Sequence, residues 1–458
     1  MAKCYPIEII DSTESILYYP KEFGQKDFRE VAFGSLCIDT IAKPQPSNKH
    51  KISVSKTLKD QLHIPNIPLK LYLFERDQTL FIGPIIGIFT AGFTTYPQSP
   101  IGNRSYSFSK LISGYERIGV LPVIFGIQHI DWKKGLIDGF FFHEGEWRRL
   151  EVPIPNVIYD RLPNRKVENL QMIQELKSKL AEEYIIPWYN PGFFNKLDIY
   201  KKLVKRRESA QYLPKTIPFH NINSLKQMLE EFGYVYVKPI NGSLGKGVLQ
   251  IRQTNDNKYY CRYRDEEGNN RLMKIASIPG IIQRLFSKGE HEKYIIQQGI
   301  SLMEVNHHFA DFRIHTNKGL DGEWKVTAIG CKVAGDGSPT THLYSGGSVL
   351  TLEEIFPVKE IRTEKLKHLV AAVIRLSKDL EKQFDGVLAE IGFDIGMDEK
   401  GNIWMFEANS KPGRAIFSHP KIRRYERYTH RLVLSYAVHL TEQVIRTPEK
   451  FFHDLVLQ

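Results

Sequence analysis

Short apolar runs of strand character open the chain and are broken by a polar loop rich in Pro, Ser and Asn, Ala42–Lys51. This pattern predicts a small β-rich N-terminal module over residues 1–68. Leu69–Thr90 is a strong strand-forming stretch, and Val120–Ile127 and Leu136–Leu162 continue it with helix-like material between them. Strand–helix alternation of this kind predicts an α/β domain over residues 69–186. From residue 187 onward the pattern changes. Asn223–Gly233 carries a helix's start and stop, with Asn223 or Ser224 as the N-cap and Gly233 just past the end. Tyr234–Ile240 reads as a buried strand, Ala276–Gly289 as a helix and Lys293–Leu302 as another strand. His307–Asn317, Glu323–Ala334 and a hairpin at 388–409 predict an antiparallel set. Thr363–Phe384 and Arg424–Ile445 are long amphipathic helices. The unit over 187–458 divides into lobes of about 187–300 and 301–458, so the fold class is a multidomain α+β and α/β chain.

The hairpin carries the densest chemistry. Leu388–Met397 and Ile403–Asn409 are apolar-rich strands joined by Asp398-Glu399-Lys400-Gly401-Asn402, which has turn chemistry. A register pairing Asp398 with Ile403 sets Asp394 opposite Glu407, and Asn409 shares the face of Glu407. Two carboxylates among apolar neighbours repel, and a divalent cation is the usual remedy. Mg²⁺ takes oxygen ligands and combines a few side chains with waters and substrate phosphates. Upstream, Lys238 ends a strand that runs into Gly242-Ser243-Leu244-Gly245-Lys246-Gly247. Neither GxxxxGK[ST] nor GxGxxG is present. Glycines at 242, 245 and 247 with Ser243 nonetheless let backbone N–H groups close over phosphates, with Lys238 as a point charge.

Composition narrows the classes. A length of 458 residues suggests about two to four domains. A net charge of +11 suits an anionic substrate or cofactor, but the basic residues are dispersed and do not favour nucleic acid. Cys4, Cys37, Cys261 and Cys331 are far apart without a CxxC pair, which argues against a zinc site or disulfide framework and suits a reducing compartment. Met1–Ile10 lacks the apolar core of a signal peptide and no run is long enough to span a membrane, so cytoplasmic synthesis is expected.

Taken together, the lysine strand, the glycine loop, the Gln-Gln-Gly-Ile strand end, Asp311-Phe312-Arg313 and the hairpin resemble the ATP-grasp superfamily in order and spacing. Gly83–Thr90, Val157–Arg161, Tyr236–Val248, Tyr294–Ile300, Asp311–Asn317, Thr341–Gly347 and Phe406–Arg414 are similar to the YheC/YheD endospore coat-associated group. The resemblance covers the chain from about residue 70. It implies an ATP-grasp fold over 187–458 behind a pre-ATP-grasp α/β domain. It further implies Asp394, Glu407 and Asn409 as ligands of two Mg²⁺ ions, with Glu407 bridging them. Lys238 and Lys196 would face the phosphates of ATP, Gln297, Gln298 and Ile300 would form the adenine hinge, and Arg313 and Lys332 would be catalytic. Lys332 stands where similar ligases carry arginine, and His342 where asparagine is usual; lysine keeps the charge but not the two-toothed fork. The implied activity is an ADP-forming carboxylate–amine ligase acting through an acyl phosphate on an amino acid or peptide. Its partners would be a carboxylate and an amine acceptor, with coat proteins in the mother cell. A scaffold that keeps the nucleotide pocket, or an ATP-grasp kinase, are the alternatives. Arg414 is a candidate for holding a substrate carboxylate.

Overall fold

The computed structural model describes residues 3–449 except 25, 243–244, 257, 287–289 and 343–345. Four sheets follow one another along the chain. The first is a closed seven-stranded barrel. Its first strand, Cys4–Ile10, pairs with Ile52–Ser55 on one side and Lys70–Arg76 on the other, and Thr79–Gly83 pairs with Phe28–Phe33. The barrel therefore continues past residue 68, where the apolar pattern predicts a boundary. Without Lys70–Arg76 and Thr79–Gly83 the edges of Cys4–Ile10 and Phe28–Phe33 would stay unpaired, and closure removes both. Leu69–Thr90 is thus two strands of the barrel followed by Ile85–Phe89, the first strand of the next sheet.

In the second sheet Leu121–Phe125, Ile85–Phe89, Val157–Asp160 and Trp188–Tyr189 run parallel. Leu136–His143 and Glu146–Pro153 extend it antiparallel. The first three of the parallel strands are buried throughout, as expected for a sheet covered on both faces.

The third and fourth sheets form the cleft that concerns function. The third is antiparallel, ordered Thr216–Pro218, Tyr294–Gln298, Tyr234–Pro239, Leu249–Gln253, Tyr259–Arg264 and Asn270–Ile275. Helices Ile222–Phe232 and Ile278–Leu285 close its core with Leu225, Met228, Leu229 and Ile281. The first of these helices is capped by the Asn221 side chain, which accepts from Ser224 N, and ends at Gly233 with φ +73°. The fourth sheet runs Ser348–Leu350, Trp324–Val333, His308–Lys318, Glu390–Met397 and Ile403–Asn409. One of its faces packs on the helices Lys196–Val204 and Lys359–Glu381. The long helix Pro420–Arg446 lies against this sheet and also against the barrel and the second sheet, with Val433, Leu434, Ala437 and Val438 wholly buried. Among the described residues no helix is long and apolar enough to cross a membrane.

Candidate active site

A cleft of about 920 Å³, open to solvent, separates the third and fourth sheets. From the third sheet comes Lys238, at the end of a strand whose alternate residues Val235 and Val237 are buried. Its Nζ donates to Gln297 Oε1 at 2.6 Å and lies 5.4 Å from the rings of both Tyr236 and Phe406. Burial pushes its pKa down to about 8, with Glu407 opposing that shift and Lys196 adding to it. Lys196 opens the Lys196–Val204 helix, where Asn195 accepts from Leu197 N and Asp198 N. Its Nζ donates to the Gly242 carbonyl at 2.7 Å and lies 3.2 Å from Glu407 Oε1. Gly245 and Gly247 sit at φ +69° and +71°, which only glycine adopts without strain. Gly245 packs beside Thr340 across the cleft mouth.

The facing wall is one face of the fourth sheet. Asp311 and Arg313 are two apart and so share that face; in register, Asp311 lies opposite Lys332 and Arg313 opposite Asp394. Arg313 grips Asp394 with two nitrogens, Nη2 donating to Oδ2 at 3.0 Å and Nε lying 3.0 Å from Oδ1. Lys332 Nζ donates to Asp394 Oδ1 at 2.8 Å and lies 3.0 Å from Asp311 Oδ1. Burial would raise the Asp394 carboxyl, but Arg313 and Lys332 outweigh it and hold its pKa well below the carboxylate range. Burial raises the pKa of Asp311, against Lys332 and against Thr341 Oγ1, which donates to it at 2.6 Å. Burial would lower the Lys332 pKa, and the two aspartates raise it instead. Arg313 Nη1 is buried without a hydrogen-bond partner.

Asp394 and Glu407 are opposed in the hairpin, as the spacing predicts, though by a different register. Met397 rather than Asp398 pairs with Ile403, and a bulge that leaves Phe406 extra returns the pairing to Asp394–Glu407. Gly396 makes room for it, since a Cβ there would stand 2.5 Å from Phe406 Cζ. Asn409, opposite Gly392, shares the face of Glu407. Among the described residues no three His, Cys, Asp or Glu side chains gather into a metal cluster. The local set is two opposed carboxylates and an amide, all oxygen donors. It fits a Mg²⁺ that brings its own waters and phosphate oxygens.

Of the residues singled out in the sequence, Lys196, Lys238, Gly242, Gly245, Ile300, Lys332, His342, Asp394 and Glu407 line the cleft. Gln297 lies behind it, its amide bridging Lys238 and Thr216 Oγ1 and bordering a narrow side cavity. Gln298 accepts from Lys215 N at the margin, and Gly247 packs on Pro239. Arg313 stands behind Asp394. Ser243 lies outside the described residues, as do Leu343–Ser345. Asp311, Tyr236, Phe406 and Thr340 join the site without having been foreseen in it. The signal for Asp311 was the alternation in Asp311-Phe312-Arg313; the aromatic pair around Lys238 had no sequence signal.

A strand that ends in a lysine before a glycine-rich segment on one antiparallel sheet, set against an acidic hairpin on another, defines the ATP-grasp fold. The profile of the YheC/D like ATP-grasp family matches residues 185–440. The chain is 36% identical over 447 residues to endospore coat-associated protein YheD of Bacillus subtilis (strain 168), covering 98% of each. It therefore belongs to the YheC/D like ATP-grasp family. Endospore coat-associated protein YheC of the same strain is 23% identical over 274 residues, 58% of this chain and 73% of that one. Among solved structures, the D-alanine–D-alanine ligase of Bacillus anthracis complexed with ATP aligns at TM-score 0.46 and 14% identity, covering 80% of this chain and all 100% of that one. D-alanyl-alanine synthetase A of Vibrio cholerae aligns at TM-score 0.44 and 12% identity, with coverages of 79% and 98%.

Proposed function

We propose that the protein is an ATP- and Mg²⁺-dependent carboxylate–amine ligase that works through an acyl phosphate. The observation that carries this reading is the facing of Lys238 and Lys196 toward the opposed Asp394–Glu407 pair across one cleft. Lys238 and Lys196 would hold the α- and β-phosphates, with backbone N–H groups of the glycine loop. Asp394, Glu407 and Asn409 would hold Mg²⁺, which when bound spreads the phosphate charge. Arg313 and Lys332 would stabilise the γ-phosphoryl group as it passes to a substrate carboxylate oxygen, releasing ADP. An amine then attacks the acyl carbon, loses its proton and expels phosphate. The protein supplies position and charge rather than a nucleophile. The relatives' names, endospore coat-associated, extend the proposal to an association with the spore coat.

A second reading has one observation in its favour. Both oxygens of Asp394 are already engaged by Arg313 and Lys332, so a metal must compete with two cations. A coat scaffold that binds nucleotide without turnover would show that arrangement too. The purified protein with Mg·ATP and a pool of amino acids and short peptides separates the two. The ligase yields ADP, phosphate and a product lighter by one water than its two parents. Release of AMP would refute it, and nucleotide binding with no turnover would favour the scaffold.

A further inference from the structure

A second cleft, of about 850 Å³ and open to solvent, lies where the second sheet meets the loop that follows the acidic hairpin. Arg104, Arg161, Lys411 and Arg414 line it, with Phe193 and His430. Their charges do not cancel. Lys411 and its neighbour Lys177 share Asp160 and Glu168, two cations on two carboxylates. Among the described residues the three guanidiniums have only the Glu390 carboxylate between them. Arg414 Nη2 donates to Glu390 Oε1 at 2.8 Å, and Arg161 Nη1 lies 3.5 Å from Oε2. Arg104 has no carboxylate partner among the described residues. Its Nη1 donates to Thr90 Oγ1 at 3.0 Å and its Nη2 to the Ala91 carbonyl, neutral acceptors that orient the group without matching its charge.

Two positive charges are therefore in excess inside a half-buried cleft, which costs free energy unless an anion arrives. The neighbouring groups register that excess. Burial and then Arg161 lower the Arg104 pKa, and burial with Arg414 and Arg161 keeps His430 neutral.

The cleft also abuts the candidate active site. A Cβ on Gly392 would stand 2.4 Å from Pro412, a wall of this cleft, and 3.0 Å from Arg313 Nη1. The unpartnered nitrogen of Arg313 and the arginine cleft thus meet over one glycine. A molecule seated in the cleft would have its reacting end beside Arg313.

We propose that this cleft seats a free carboxylate of the substrate, held by Arg104 together with Arg161 and Arg414. Resting on the ligase reading above, this makes the substrate class acidic: a small molecule with a carboxylate besides the group that reacts. That carboxylate belongs either to the acyl donor, making it a diacid, or to the amine acceptor, making it an amino acid.

The full chain, without nucleotide and at low salt, can be titrated calorimetrically with glutarate, L-alanine and neutral glutaramide. Glutarate or L-alanine should bind and glutaramide should not. Binding of glutarate alone assigns the carboxylate to the donor, and binding of L-alanine assigns it to the acceptor. Arg104→Ala should weaken the bound acid about tenfold or more, while Arg104→Lys keeps part of the affinity. Both variants should melt like wild type and bind ATP as it does. Failure of both acids to bind, equal binding of glutaramide, or an unchanged affinity in Arg104→Ala would overturn the proposal. A wild type that binds an acid through Arg104 but not ATP would refute the ligase reading and leave the anion site standing.

Discussion

Lys238 ends a buried strand before the glycine loop, and its ammonium lies 5.4 Å from the rings of both Tyr236 and Phe406. That enclosure has a consequence for nucleotide binding. With a pKa of about 8, the ammonium that would meet the phosphates is charged at pH 7 and mostly neutral at pH 9. ATP affinity should fall as pH rises through about 8, and Lys238→Arg, always charged, should remove the fall. A flat calorimetric profile from pH 7 to 9 in the wild type would contradict this. The strand end before the glycine loop is legible because alternation and glycine spacing are local, whereas Phe406 arrives from a strand far along the chain, and the aspartates differ in the same way. In sequence, Asp311 is the obvious partner of Arg313. In the sheet, register gives Arg313 to Asp394 and Asp311 to Lys332.

Among the elements, the acidic hairpin was readable in its strands and turn but not in its bulge. The shift at Phe406 has no motif of its own and depends on Gly396, paired with Trp404, where a side chain would collide with Phe406 and Leu302. Gly396→Val should cost about 1–3 kcal/mol by overpacking and weaken ATP binding, since Phe406 would be driven toward Lys238. A denaturant midpoint and an ATP affinity both equal to wild type would rule this out. The helix Ile222–Phe232 differs from expectation at one end only. Asn221 caps it rather than Asn223 or Ser224, because three neighbouring residues could each cap and only tertiary packing selects among them. Its stop at Gly233 needs positive φ and was therefore visible.

For the whole molecule, the barrel shows what an apolar pattern omits. Leu69–Thr90 reads as one continuous stretch, yet its strands join two different sheets, and nothing in their own composition names the partners. Long-range packing also buries groups that titrate. Burial, with Arg414 and Arg313 nearby, lowers the His315 pKa to about 3, and burial with Arg149 lowers His129 to about 4. Both are neutral in the folded chain where the unfolded chain, with a histidine pKa near 6.5, takes up protons. The unfolded state gains from each drop in pH between about 6.5 and 4, so stability present at pH 7 is lost on acidification. At pH 5 the fully buried His315 contributes a loss of about 2 kcal/mol, and the partly exposed His129 less. Urea midpoints should fall from pH 7 to pH 5, and His315→Phe should fall less. Equal wild-type midpoints at the two pH values would refute the assignment.

In the proposed Mg·ATP site the metal rests on the Asp394–Glu407 pair. Calorimetric titration of ATP with and without Mg²⁺, on the wild type and on Glu407→Gln, tests it without knowledge of the substrate. Mg²⁺ should tighten ATP binding about tenfold or more in the wild type and hardly at all in Glu407→Gln, with unfolding unchanged between the two. The same tightening by Mg²⁺ in both proteins would rule out this metal seat.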